Sequence, residues 1–172
     1  MRDGWRHADA IARAVEDGKL GHLVLLSAIY AADSEVAGLA RTLRAAEARL
    51  AATQAPVTFV RAAYLLENWG AVLPATAAGK LPTFLPPDRA LPMVATRDVG
   101  AVAAAALLEG PAGRQIMEVV GPREYSPNDV AAALAELRGR PVQAEAVPLQ
   151  ALPAVLAGAG ASPAFAEQVR LM

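Results

Sequence analysis

Cysteine is absent from the chain, which excludes disulfides, thiol catalysis and zinc–thiolate centres. That absence fits a cytoplasmic protein. Aromatic residues are few, with two Trp, three Tyr and three Phe in 172 residues, so the 55% hydrophobic content rests mainly on Ala, Leu and Val. Neither sign of charge dominates: 16 basic and 17 acidic residues leave a formal charge of -1. With no Lys/Arg run and no interleaving of aromatic and basic residues, neither nucleic acid nor an anionic membrane is expected as a partner. No apolar run approaches the ~18 residues needed to span a bilayer. The opening "MRDGWRHADA" carries acids and no apolar core, so no signal peptide is expected. Histidine occurs only at His7 and His22, and there is no HExxH or metal-spaced carboxylate set, so no metal site is expected.

What is present is an alternation of helical and strand patterns. "RHADAIARAVEDGKLGH" predicts a helix with Ala10, Ile11, Ala14 and Val15 as its apolar stripe and Gly18 as its stop. Leu23 to Leu26 form an unbroken apolar run, the pattern of a strand buried on both faces. A second helix is expected from Ser34, with Leu39, Leu43, Ala46 and Leu50 on one side and Arg44 paired to Glu47 on the other. "VTFV", Val57 to Val60, is a second short buried strand. Helix, strand, helix, strand at this spacing implies βαβ units and a parallel sheet. In the second half, "ENWGAVLPATAAGK" reads as helical, interrupted at Pro74, and "LPTFLPPDRALPM" as extended edge pieces or loop. Thr96 is placed to cap a helix that stops at Gly110-Pro111, and "RQIMEVVG" is a third strand. Ser126, Pro127 and Asp129 form a capping box ahead of a helix closed by Gly139. "PVQAEAV" is a possible strand, and Ser162-Pro163 repeats the Ser-Pro helix start. Without repeats or linkers, the expected architecture is one α/β three-layer domain spanning residues 1–172.

In an open parallel sheet, ligands bind beyond the carboxyl ends of the strands. Two such ends stand out: Ser27, and the stretch from Arg61 to Trp69. Glu67, Asn68 and Trp69 are read either as lining a cleft, or as a cap for the next helix with the indole covering the core edge. Ser27 lies in no GxSxG elbow, which argues against a hydrolase nucleophile. His22 falls at the opposite end of its strand. Asp98 is a candidate general base or a first-turn acid complementing the helix dipole. No Lys lies four residues after Tyr30 or Tyr64, so no Tyr–Lys acid/base pair is available locally and no catalytic residue is assigned.

"GHLVLLSAIYA", "LRAAEARLAATQAPVTFVRAAYLLENW", "LPMVATRDVGAVAAAALLEG" and "MEVVGPREYSPNDVAAALAELRGRPV", in this order, resemble the NmrA-like family of atypical short-chain dehydrogenase/reductases. The resemblance implies an NAD(P)-binding Rossmann fold. It sets Ser27 and Ala28 where the family's fifth strand meets the cofactor. Arg61 to Asn68 match an Arg-Pro-x-x-Phe-x-Glu-Asn segment that passes the nicotinamide and the substrate. By that match Arg61, Ala62, Ala63 and Tyr64 face the cofactor, and Leu65, Glu67, Asn68 and Trp69 face the substrate. Arg97-Asp98 match a helix-starting pair. The family's proline is Ala62 here, its phenylalanine is Leu65, and a Lys or His found in some members is Leu43 if Glu47 is the family's helix glutamate. The GxxGxxG turn that holds the pyrophosphate does not occur in the 172 residues; Gly158 and Gly160 come closest but follow no buried strand. The resemblance therefore implies a partial Rossmann-like domain, its distal sheet half plus the C-terminal substrate-side region. It implies a quinone- or carbonyl-reductase type of oxidoreductase acting on a small molecule in the full-length form, or alternatively a non-catalytic NAD(P)-sensing redox regulator or an inactive fragment. A Leu23–Leu26 strand left at a sheet edge would favour self-association.

Overall fold

Two adjacent parallel strands, each followed by backbone that turns away at its carboxyl end, organise the first half of the chain. The computed structural model describes residues 2–18, 20–33, 38–110, 112–158, 160 and 162–170. Helix α1 (Arg2–Gly18) leads into β1 (Leu23–Ala28), a short 3-10 turn (Ile29–Ala32), helix α2 (Gly38–Ala51) and β2 (Val57–Ala62). After one residue the chain resumes as β3 (Tyr64–Leu65) and a long 3-10 segment (Leu66–Ala78), then β4 (Lys80–Thr83), β5 (Leu91–Val94) and α3 (Thr96–Glu109). The remainder is β6 (Arg114–Val119), β7 (Glu124–Tyr125), α4 (Pro127–Arg138), β8 (Gln143–Ala146), a 3-10 turn (Leu149–Ala151), α5 (Leu152–Gly158) and α6 (Pro163–Arg170). The predicted helix start at Ser34 and the predicted ends at Pro111 and at 171–172 lie outside the described residues.

Strand order in the main sheet is β1-β2-β6, all parallel, with Leu23 opposite Val57 and Val57 opposite Arg114. The expected parallel pairing of the Leu23–Leu26 and Val57–Val60 strands holds. Smaller sheets follow: β3 and β7 flank β5, parallel and antiparallel respectively, and β4 pairs with β8 in parallel. The proline-rich stretch supplies extended pieces, but only β4 is an edge strand; β5, with Pro92, lies between β3 and β7, against the expectation of edge pieces or loop. The parallel pairing and the helices on both faces of the main sheet give the expected α/β class.

Each sheet face has its own core. On one side Val57 and Phe59 pack with Ala12 of α1 and Leu50 of α2, and Leu23 and Leu25 join them. On the other, Val60, Ala62, Ala63 and Val119 pack with Val94 and Val99, where α3 covers the sheet. A third cluster gathers Trp69, Leu81, Met93, Ala131 and Val142 under α4. All features of the α4 start are present: Ser126 Oγ accepts from the Asp129 amide, the Asp129 carboxylate accepts from the Ser126 amide, Pro127 opens the helix and Gly139 closes it in the left-handed region. Ser162 Oγ likewise accepts from the Phe165 amide at the start of α6.

Several local expectations need correction. The buried stripe of α1 is Ala8, Ala12 and Val15, while Ile11 is exposed. The small Ala12 packs against Leu50, Val57 and Phe59, and at the margin of this contact Arg49 of α2 bonds Asp9 at 3.0 Å and Glu16 at 3.4 Å. β1 is not buried on both faces. It forms one edge of its sheet among the described residues, and Leu26 is 55% exposed. On α2 the buried residues are Ala40, Glu47 and Leu50, and Arg44 does not pair with Glu47. Glu47 instead turns under the sheet to Arg61. Thr96 is the first helical residue of α3 rather than its cap, which is Ala95. The segment around Pro74 is one continuous 3-10 stretch that ends at Gly79.

Candidate functional site

β1, β2 and β6 all end at the same rim, and their register sets the residues side by side. Ser27 lies opposite Arg61 and Ala28 opposite Ala62; across β2, Arg61 lies opposite Glu118 and Ala62 opposite Val119. The Ala63 amide donates to the Val119 carbonyl at 3.0 Å, so the backbone leaves β2 still tied to β6. Tyr64 and Leu65 then pair with Met93 and Val94. The structure thus brings together Ser27, Ala28, Arg61, Ala62, Ala63 and Tyr64 at one strand-end rim, the position where an open parallel sheet binds ligands.

The chemistry of this rim is spare. Ser27 is 5% exposed, and its Oγ has no hydrogen-bond partner among the described residues. A buried hydroxyl without a partner is costly and unusual in a folded chain. Ala28, Ala62 and Ala63 are small, and Ala62 and Ala63 are buried in the core under α3. The Arg61 guanidinium is not free: Nε donates to Glu47 Oε1 at 3.1 Å and Nη2 to Glu47 Oε2 at 2.7 Å, and both side chains are largely buried. That paired carboxylate pushes the Arg61 pKa further up, and Glu118 adds to it. Burial, and then Tyr30, raise the Tyr64 phenol above its ordinary value. Tyr64 is therefore a neutral hydroxyl at neutral pH, suited to hydrogen bonding and not to acting as a base.

The three residues after the rim behave differently from one another. Glu67 accepts from the Thr96 amide at 3.0 Å and from Thr96 Oγ1 at 2.7 Å, so its carboxylate serves the first turn of α3 in place of a capping side chain on Ala95. It caps α3, not the segment that follows it in sequence. Asn68 is exposed. Trp69 is 6% exposed in the third core cluster, 6.0 Å from Tyr64 ring to ring, and its Nε1 has no partner among the described residues. His22 lies at the opposite end of β1, where Nε2 meets Thr58 Oγ1 at 2.9 Å. Asp98 pairs with its neighbour Arg97 at 3.3 Å on the surface.

The hydrogen bonds from Thr96 hold the Glu67 carboxyl below its ordinary value. A depressed folded-state value means stabilisation that is complete above the unfolded value and lost as pH falls through the lowered one. Stability is therefore expected to drop below pH ~4, the ordinary glutamate range. Glu67→Gln should flatten that part of the profile, measured as urea midpoint against pH. Parallel wild-type and variant curves would remove Glu67 from the account.

Sequence reasoning missed two contributors. Gly121 packs so closely that its amide donates to the Met93 carbonyl at 2.8 Å, tying the exit of β6 to β5; the only signal was a glycine two residues past the end of β6. Arg44 donates from one Nη1 to the carbonyls of Ala31 and Ala32 at 3.2 Å and of Asp33 at 3.3 Å, and nothing in the sequence pointed there.

Fold and rim together define an α/β protein whose main parallel strands end at one common rim. The profile of the NmrA-like family matches residues 42–172, and the chain belongs to that family. None of the curated proteins matches it. Among solved structures, the chain superposes on the triphenylmethane reductase of Citrobacter sp. complexed with NADP(H) at TM-score 0.78 and 21% identity, covering 99% of this chain and 61% of that one. It superposes on an NADPH-dependent quinone oxidoreductase of Escherichia coli complexed with NADPH at TM-score 0.78 and 22% identity, covering 95% and 57%. A nucleoside-diphosphate-sugar epimerase of Staphylococcus aureus matches at TM-score 0.73 and 17% identity, covering 95% and 58%. At these identities the likeness shows the fold, which is Rossmann-like. The chain spans about three fifths of the length of these structures. Among the described residues no helix is long and apolar enough to cross a membrane.

Proposed function

We propose that residues 1–172 form a single NmrA-like unit that contributes the nicotinamide and substrate side of an NAD(P)-dependent oxidoreductase of quinone- or carbonyl-reductase type. The observation that carries this is the unpartnered, buried Ser27 hydroxyl at the end of a parallel strand, in register with Arg61 and beside the small residues Ala28, Ala62 and Ala63. A ligand carboxamide would suit such a strand end, because a buried hydroxyl without a partner seeks a polar one. When bound, NAD(P) supplies the hydride. Ser27 would hydrogen-bond it, the backbone of Ala62 and Ala63 would border it, and neutral Tyr64 would orient the ligand. Leu65, Glu67 and Asn68 lie farther along toward the proposed substrate side, with Trp69 supporting them from the core. The substrate is a small molecule, and the setting is cytoplasmic.

No residue here supplies a GxxGxxG phosphate site, so these 172 residues on their own are expected to bind NADPH weakly or not at all. Titration by nicotinamide fluorescence measures this, and a micromolar dissociation constant would relocate the phosphate contacts. Turnover of NADPH with a quinone panel by the full-length form tests the activity. A second reading, an NAD(P)-sensing regulator without turnover, is favoured by one observation: Glu67 and Arg61 are both committed to internal partners, which takes two candidate acid–base groups of the rim out of use. Tight NADPH binding by the full-length form with no turnover of any quinone or carbonyl would favour it.

A further inference from the structure

We infer that α2 is a two-point clamp on the crevice: Arg44 holds the exit of β1, and Glu47, through Arg61, holds the exit of β2. Paired residues of parallel strands share a face, so the register reads as rows along the side that α2 covers. The row Leu25, Phe59, Ile116 is apolar; the next, Ser27, Arg61, Glu118, is polar throughout and lies at the carboxyl end. Along α2, Leu50 packs with Val57 and Phe59, Glu47 one turn earlier meets Arg61, and Arg44 nearly one turn earlier again reaches the carbonyls of Ala31, Ala32 and Asp33. The helix thus runs from core to rim and grips the two adjacent strand exits with different side chains.

Stability alone does not account for this arrangement. A buried ion pair is a weak source of net stability, because desolvation of both charges offsets their attraction, and an apolar pair of similar volume would hold α2 to the sheet as well. What the Arg61–Glu47 pair provides is direction. Two parallel hydrogen bonds to a planar guanidinium fix its orientation, which a hydrophobic contact does not. The pair sits one residue before Ala62, where the backbone turns along the rim. Arg44, whose side chain reaches across the surface to three successive carbonyls, does the same for the turn after Ala28. Glu47 and Arg44 are positioning residues.

This inference rests on the reading of the rim as the ligand crevice, and amide exchange tests it with no ligand present. The full chain is compared with Glu47→Leu/Arg61→Met and, separately, with Arg44→Met. The double variant is expected to melt near the wild-type temperature. Its Ala63 amide, bonded to the Val119 carbonyl, is expected to exchange ~tenfold faster relative to that of Phe59 in mid-strand, because local opening is governed separately from global unfolding. Arg44→Met is expected to speed exchange at Asp33, whose amide donates to the Tyr30 carbonyl, and to leave Ala63 unchanged. Exchange at Ala63 that stays in step with Phe59 overturns the clamp at β2. If the double variant does not fold, Arg44→Met decides through its exposed side chain, and an unchanged Asp33 overturns the proposal. Failure of NADPH to bind even the full-length form would count against the crevice reading and would leave the exchange result standing.

Discussion

Trp69→Ala is expected to destabilise the fold by about 3–5 kcal/mol, the usual cost of emptying a buried aromatic site. The indole is packed among Leu81, Met93, Ala131 and Val142, with Tyr64, Val72 and Leu91 at its margins, so truncation leaves a cavity under α4 that rigid neighbours cannot close. Trp69→Phe separates the two contributions of this side chain. It keeps most of the ring and removes Nε1–H, a buried donor without a partner among the described residues. Loss of an unpaired buried donor is favourable in itself, so Phe should recover more than half of the loss seen with Ala. Urea denaturation of both variants gives the comparison. A wild-type midpoint for Trp69→Ala, combined with lost ligand binding in the full-length form, would mean that the indole faces substrate and not the core.

Gly121→Ala is expected to cost about 2–3 kcal/mol, as overpacking against a fixed backbone does. A Cβ at this position would stand 2.4 Å from the Met93 carbonyl oxygen, the same oxygen that accepts the Gly121 amide. No side-chain rotation relieves that contact, so β5 and the exit of β6 must separate. Gly110 is a first control. It has φ 85° and ψ -176°, a backbone region essentially confined to glycine, with nothing near its Cβ position, so Gly110→Ala meets backbone strain alone, about 1–3 kcal/mol, and no steric clash. Gly139, in the left-handed region at φ 64° and ψ 25° with nothing near its Cβ position, separates backbone strain from clash, and thermal melts should rank Gly121→Ala as less stable than Gly139→Ala. The reverse order would show that β5 and β6 yield easily, and with them the rim.

Much of the framework was legible because it depends on near neighbours in sequence. The Ser126-Pro127-Asp129 start and Gly139 stop are local hydrogen-bonding devices, and they appear where the residues put them. The runs Leu23–Leu26 and Val57–Val60 identify strands through composition alone, and one crossover between them dictates parallel pairing. The strand-end rule then leads to Ser27 and to Arg61–Tyr64 without coordinates. The resemblance to the NmrA-like family, carried by ordered short motifs, is matched by the family profile over residues 42–172.

What the sequence by itself could not determine was the choice of partner for each charged group and the orientation of each helix about its axis. Arg44 and Glu47 lie three apart and can pair by helical spacing; the sheet offered Glu47 a better-directed partner in Arg61 and left Arg44 to the β1 exit. Glu67 was legible as a cap, but the helix it caps begins 29 residues later and reaches it only because β3 and β5 pair. Ile11 looked like core, yet α1 buries Ala8, Ala12 and Val15, with Ala12 packed against Leu50, Val57 and Phe59, and Ile11 is left outward. Leu26 looked doubly buried, yet a strand's burial depends on the neighbours it acquires, and β1 lies at the edge of its sheet among the described residues. Local propensity acts through a few residues and is written in their order; long-range pairing selects among partners of nearly equal local merit, and only the assembled fold makes that selection.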